Sequence, residues 1–189
     1  MFSRKNRRLH EQAAEFATRA DFEKIFTEDM DGLHLLALLL TADQKLAEQS
    51  FVGGLEDSIH SNPVFRQWAR SWSKRAIIKN AIKVVSPVSA QDAVPAAPLP
   101  ADTGDAHADA LIACITQLDP LQRFVFVMTV LEGYSTTECG ALLRCSPQQV
   151  GAAKAEVLQH MGSKPCSQMS VPEKFGILAP ALVARAQVA

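Results

Sequence analysis

The chain has 189 residues, and its 19 Lys/Arg against 20 Asp/Glu leave a formal net charge of −1. With 48% apolar and 21% charged residues it is too apolar for a wholly disordered chain. The near-zero charge excludes a uniformly cationic nucleic-acid binder, and 9 Gly, 10 Pro and 4 Cys exclude a collagen-like chain and a disulfide-rich scaffold.

The charge is unevenly spread. Residues 1–87 carry 13 Lys/Arg against 11 Asp/Glu, residues 88–109 carry four Asp and no Lys or Arg, and residues 110–189 carry six against five. A polyanionic partner must therefore be met by a local patch. The basic start (Arg4, Lys5, Arg7, Arg8) is not followed by the apolar run of a signal peptide. The longest apolar run, 35–40, is far too short to cross a bilayer. The expected place of action is the cytoplasm, with no membrane span.

In chain order, the pattern predicts a polar lead helix near 4–19 and a helix over about 22–40. Thr41-Ala-Asp-Gln44 fits a capping box for the next helix, which is expected to weaken at Gly53-Gly54. Asn62-Pro63 opens a helix over about 63–85, stopped by Pro87. Residues 86–109 hold four Pro, four Asp and many Ala, and read as an extended, acidic, flexible linker. A helix is predicted over about 106–117. Asp119-Pro120 opens another that ends at Glu132 before Gly133. Ser135-Thr-Thr-Glu138 and Ser146-Pro-Gln-Gln149 are capping boxes for short helices over 136–144 and 147–161, the latter closing at Gly162. The predicted fold is all-α, with two small helical domains (1–86 and 108–162) joined by a flexible Ala/Pro/Asp linker (87–107) and followed by a tail (163–189). The second domain ends in a helix-turn-helix.

The cysteines (Cys114, Cys139, Cys145, Cys166) lack zinc-site spacing, and His 10, 34, 60, 107 and 160 are scattered. The thiols read as buried small residues of a reducing compartment, with a redox switch as the other reading. No phosphate loop, HExxH or nucleophile elbow is present. No enzyme activity, metal or cofactor is expected.

Residues 65–83 are the most informative segment. Arg66, Arg70 and Lys74 are spaced by four, as are Arg75, Lys79 and Lys83, and no acid intervenes. On a helix each set stacks into a ridge, although like charges at that spacing repel by a few tenths of a kcal/mol. Phe65, Trp68, Ala69, Trp72 and Ala76 share another face. Cations beside large aromatics suit single-stranded nucleic acid, where phosphates are neutralised and unpaired bases stack. Such a ridge is expected to lie open and free of acidic partners. The bland reading places Trp68 and Trp72 in the core and makes the cations solubilising.

The two capped helices after Gly133 form either an ordinary helical hairpin or a DNA-reading helix-turn-helix. In the second case Ser146, Gln148, Gln149, Ala152 and Ala153 face base edges, with Lys154 the one cation of the reading helix.

Taken together, a basic-aromatic helix, an acidic linker and the run LDPLQRFVFVMTVLEGYSTTECGALLRCSPQQV resemble an extracytoplasmic-function type RNA polymerase sigma factor of the sigma-70 family. Leu118 to Val150 carries the second-domain pattern. Phe22-Glu-Lys-Ile-Phe, Leu38-Leu-Leu-Thr-Ala-Asp43, Ala47-Glu48 and Phe65-Arg-Gln-Trp68 follow the order of the first. The resemblance implies a first domain that binds polymerase core and opens the −10 element, and a second that reads the −35 element. It assigns Trp68, Arg70, Trp72, Lys74, Arg75 and Lys79 to the opened strand, and Thr136, Thr137, Ser146, Gln148, Gln149 and Lys154 to the −35 duplex. Glu48, Gln49 and Val52 would meet the polymerase clamp, and an anti-sigma protein is a further partner implied. The chain departs from the family at Gln49-Ser-Phe-Val-Gly-Gly54 and at Gly151-Ala-Ala153, where acceptors and cations are lost. The alternative is therefore a divergent sigma-like interaction module or regulator with little promoter reading.

Overall fold

The computed structural model describes residues 15–89 and 106–163. The part of the predicted lead helix before residue 15, most of the linker and the tail beyond residue 163 lie outside the described residues, as does Cys166.

Among the described residues, eight α-helices account for the architecture: α1 (Arg19–Glu28), α2 (Met30–Thr41), α3 (Gln44–Ile59), α4 (Ala69–Val85), α5 (Ala106–Thr116), α6 (Pro120–Phe126), α7 (Thr136–Leu143) and α8 (Pro147–Ser163). Among the described residues the only strand-like pairing is an isolated antiparallel bridge between Phe16 and Phe65.

Local chemistry explains most boundaries. Thr18 caps α1 through a capping box with Asp21. The single helix expected over 22–40 is two helices, broken at Asp29. Thr41 does not cap α3: its hydroxyl donates back to the Ala37 carbonyl, Ala42 takes the left-handed conformation, and Asp43 accepts from the Leu46 N–H as the true cap. The segment from Pro63 is extended at Phe65, Ala17 N–H donates to the Val64 carbonyl at 2.7 Å, and the chain passes through one 3₁₀ turn (Arg66–Trp68) before α4 begins. Both predicted capping boxes of the second half are present, Ser135 with Glu138 and Ser146 with Gln149.

The expected break at Gly53-Gly54 is absent, and α3 runs through both glycines. They serve packing instead, since a Cβ on Gly54 would stand 2.5 Å from the Ile77 side chain of α4.

One buried apolar cluster spans both halves. It joins Leu36, Leu40, Ile77 and Ile78 to Ile112, Ile115, Phe124, Val127 and Met128. Helix α2 is the shared wall, packing on α3 and α4 on one side and on α5 and α6 on the other. The guanidinium of Arg123 is buried at this seam, with the residue only 4% exposed. It donates to the carbonyls of Leu40 (2.9 Å) and Thr41 (3.3 Å) in the first half, and to Thr116 (3.3 Å) and Leu118 (2.9 Å) in the second. A cation there also complements the C-terminal dipole of α2. Burial pulls the Arg123 pKa down to about 10, partly opposed by the nearby Asp119 charge.

Candidate nucleic-acid interface

Helix α4 puts its small and aliphatic residues inward: Ala69, Ser73, Ala76, Ile77, Ile78 and Ala81 are buried. Neither indole is fully buried, although Trp72 packs against the small cluster of Phe22, Val64 and Ala69. Trp68 is 57% exposed and Trp72 half-buried, with Lys79 Nζ 5.5 Å from the Trp72 ring. Phe65 stacks on Phe16 at 4.9 Å and meets Trp68 edge-on at 5.1 Å, which fixes the aromatic entry to the helix.

The cations lie at the surface but not free of acids, which corrects the expectation of an unpaired ridge. Arg66 pairs with Asp21 at 3.2 Å, Arg70 with Asp29 and more loosely with Glu28 at 3.9 Å, and Lys83 with Asp57 at 3.2 Å. Lys74 is held by both oxygens of Glu132, at 2.9 and 3.0 Å. The exposed pairs of Arg66, Arg70 and Lys83 contribute about 0–1 kcal/mol each, little enough for a phosphate chain to exchange with them, whereas the Lys74–Glu132 pair is part-buried.

A groove of about 680 Å³ runs between α4 and the 132–138 segment, lined by Trp68, Arg70, Trp72, Lys74 and Arg75 on one side and Glu132, Tyr134 and Glu138 on the other. Its acidic wall depends on backbone detail that hydropathy does not reveal. Helix α6 ends in a π turn (Val127–Leu131), after which Glu132 N–H donates to the Val127 carbonyl and Tyr134 N–H to the Met128 carbonyl. Gly133 then takes φ 72°, a conformation that favours glycine. Burial raises the Tyr134 pKa, and the Arg75 guanidinium opposes that rise.

In the second half α7 and α8 meet at a tight turn through Arg144, Cys145 and Ser146, with Arg144 at φ 57°. Helix α8 buries Val150, Ala153, Val157 and Met161, and exposes Gln148, Gln149, Gly151, Ala152 and Ala155. This is the division a reading helix requires, one stripe on the scaffold and its leading face in solvent. Residues 108–161, which contain this pair, match the family model of sigma-70, region 4. That segment of the chain is similar to sigma-70 region 4. Region 4 is a DNA-binding domain of sigma factors directed to the −35 promoter element. No curated protein and no solved structure matches the chain.

Within region 4 the expected reading residues divide. Thr136, Thr137 and Gln148 are exposed, and Lys154 is half-buried. Ser146 and Gln149 are engaged in the cap of α8: the Gln149 carbonyl oxygen accepts from Ser146 N–H at 2.9 Å, and the Ser146 hydroxyl accepts from Gln149 N–H at 3.2 Å. Ala153 faces the core at 5% exposure and cannot reach a base, which corrects that expectation.

In the first half Glu48, Gln49 and Val52 are all exposed on α3, with Gln44 donating to Glu48 at 3.3 Å. Burial pushes the Cys139 thiol up to about 12, with Cys145 adding to the rise, and raises Cys145 as well, so neither is primed as a thiolate at neutral pH. Among the described residues no cluster of three His, Cys, Asp or Glu stands ready for a metal, and no helix is long and apolar enough to cross a membrane.

Proposed function

We propose that this protein is a sigma-type transcription initiation factor that acts in the cytoplasm with RNA polymerase core. Its region 4 would read a −35 element through the exposed leading face of α8, and its first half would bind core and engage the opened −10 strand. The observation that carries the reading is the coincidence of the region 4 match with a capped helix-turn-helix whose second helix keeps its leading face in solvent.

The roles follow from chemistry. Gln148 offers a bidentate amide to adenine and Ala152 a methyl contact to thymine. Thr136, Thr137 and Lys154 flank them as groups for phosphate, while Ser146 and Gln149 hold the turn. In the first half Trp68 and Trp72 supply stacking faces, and Arg70, Lys74, Arg75 and Lys79 supply positive charge. Duplex DNA hides its base faces, so a surface that binds only the unpaired strand draws melting forward by mass action. Glu48, Gln49 and Val52 form an accessible strip for the polymerase clamp.

Selection of bound fragments from a randomised duplex pool, followed by salt titration, tests the reading. With about five phosphates neutralised, log K against log salt should fall with a slope near −4.5 for duplex or −3.5 for single strand. Failure to enrich any sequence, with a slope near zero, would refute it.

The second reading, a sigma-like interaction module, is favoured by one observation: four of the six cations on the 65–83 segment are paired with the protein's own carboxylates. It predicts co-purification with polymerase core without any promoter-dependent transcript.

A further inference from the structure

A second cavity, of about 640 Å³, lies beyond the Trp68 groove, between the last turns of α4, the turn that follows them and the end of α7. Lys79, Lys83 and Arg144 line it, and among the described residues no carboxylate does. Elsewhere along the 65–83 segment Arg66, Arg70 and Lys74 are answered by Asp21, Asp29 and Glu132. Here neither Lys79 nor Arg144 has an ion pair among the described residues. The one acid on Lys83, Asp57 at 3.2 Å, is not part of the lining. Ile82, Val88 and Leu142 add apolar surface to the cavity and are each only half-buried.

Two helix ends build this cavity. Helix α4 closes at Ser86 (φ 51°) and α7 at Arg144 (φ 57°), both in the left-handed conformation. A turn in which Ser89 N–H donates to the Ser86 carbonyl at 2.9 Å then brings Val88 into the lining. The partial negative charge of a helix C-terminus stabilises cations such as Lys83 and Arg144. It accounts neither for a lining without acids nor for apolar surface left uncovered beside the cations.

Sites for small molecules have volumes of about 300–1,000 Å³ and combine apolar lining with a few convergent polar groups. A phosphate chain needs cations repeated along a track, whereas these three converge on one cavity from two helices. Three cations also suit a dianionic phosphate better than a singly charged carboxylate. The exposed Ser86 and Ser89 hydroxyls at the same cavity can donate to its oxygens.

We propose that this cavity binds a small organophosphate, its head on Lys79, Lys83 and Arg144 and its apolar body against Ile82, Val88 and Leu142. The site goes beyond promoter reading and does not depend on it. Lys79 is shared with the strand role proposed for α4, but Arg144 is not, so Arg144 separates the two.

The test titrates the full chain with hexyl phosphate, inorganic phosphate and hexanoate, followed by amide NMR shifts. Hexyl phosphate is expected to bind at least about tenfold more tightly than inorganic phosphate, the gain from burying roughly two methylene groups. It is expected to exceed hexanoate by a similar factor and to move signals within 79–89 and 141–144 most. Lys79→Gln and Arg144→Gln are each expected to weaken hexyl phosphate at least about fivefold. Arg19→Gln, which alters a remote cation paired with Glu23 at 2.6 Å, is expected to leave it unchanged. Affinity for a fluorescent A/T-rich single strand is expected to be the same in wild type and Arg144→Gln. Equal affinity for hexyl phosphate and inorganic phosphate, or for hexyl phosphate and hexanoate, overturns the proposal. So do shifts centred on other residues, affinity untouched by both Gln variants, or no binding of hexyl phosphate. Strand affinity that falls with Arg144→Gln as much as hexyl phosphate affinity assigns the cavity to nucleic acid and overturns it. An Asp-rich peptide that binds more tightly than hexyl phosphate, and is weakened equally by Arg144→Gln, assigns it to an acidic protein segment and does the same.

Discussion

Gly54 lies against Ile77 with no room for a side chain: a Cβ on Gly54 would stand 2.5 Å from Ile77 Cγ1 and 3.0 Å from its backbone nitrogen. Helices α3 and α4 owe their close approach to this contact. Gly54→Ala should therefore destabilise the protein by about 1–3 kcal/mol through overpacking, even though alanine is the better helix former by about 1 kcal/mol. At Gly53 the added carbon meets only the Asn80 amide, at 2.9 Å, which is a movable side-chain end. Gly53→Ala should fall within about 1 kcal/mol of wild type, where propensity gain and local adjustment offset each other. Urea unfolding of the two variants separates these outcomes.

This pair also shows where sequence reading stops. Capping boxes are local, so Ser135 with Glu138 and Ser146 with Gln149 were legible three residues apart, as were Pro120 at a helix start and the all-α, helix-turn-helix fold. Gly53-Gly54 read as a weak point because propensity is a local quantity, whereas the reason for the glycines is Ile77 on another helix. The pairing of the α4 cations escapes local pattern for the same reason: the acids that meet Arg66, Arg70, Lys74 and Lys83 are Asp21, Asp29, Glu132 and Asp57, none of them near in sequence. The docking of the halves had no local signal beyond Arg123, an ordinary-looking cation in an apolar run.

Arg123 should be the most sensitive polar position in the core. Arg123→Met keeps the length and removes every donor, leaving the Leu40, Thr41, Thr116 and Leu118 carbonyls without it. A loss of about 2–4 kcal/mol is expected from unsatisfied buried acceptors, together with a calorimetric transition that splits in two as the halves uncouple. A single transition at the wild-type temperature would show that the seam does not depend on this residue.

Glu138 gives an acid-dependent contribution of known sign. Hydrogen bonds from the Ser135 hydroxyl and N–H hold its pKa below the ordinary 4.5, with the charge of Arg75 adding to them and burial opposing. The folded value lies below the unfolded one, so the stabilisation is present above about pH 4.5 and is lost as pH falls through the folded value. Glu138→Gln keeps an acceptor for the capping box but has no proton to gain. Its melting temperature should fall less than that of wild type between pH 6 and pH 3. Parallel curves would contradict the assignment.

The two glutamines of α8 should respond differently. Gln148 is exposed and unengaged by the cap, whereas the Gln149 carbonyl oxygen holds the Ser146 N–H. Gln148→Ala is expected to weaken specific duplex binding by about 1–3 kcal/mol with unchanged stability. Gln149→Ala is expected to cost about 0.5–1 kcal/mol of stability through the lost cap bond and less in DNA affinity. Chemical denaturation beside fluorescence anisotropy on a selected duplex reads both.

The most direct test is reconstituted transcription with polymerase core from duplexes selected by the full chain. The account predicts transcripts that require the chain, start at a fixed distance from the selected motif, and drop at least tenfold with Arg70→Ala/Lys74→Ala. A chain that binds core yet yields no transcript, or transcripts unaffected by that double substitution, would contradict it.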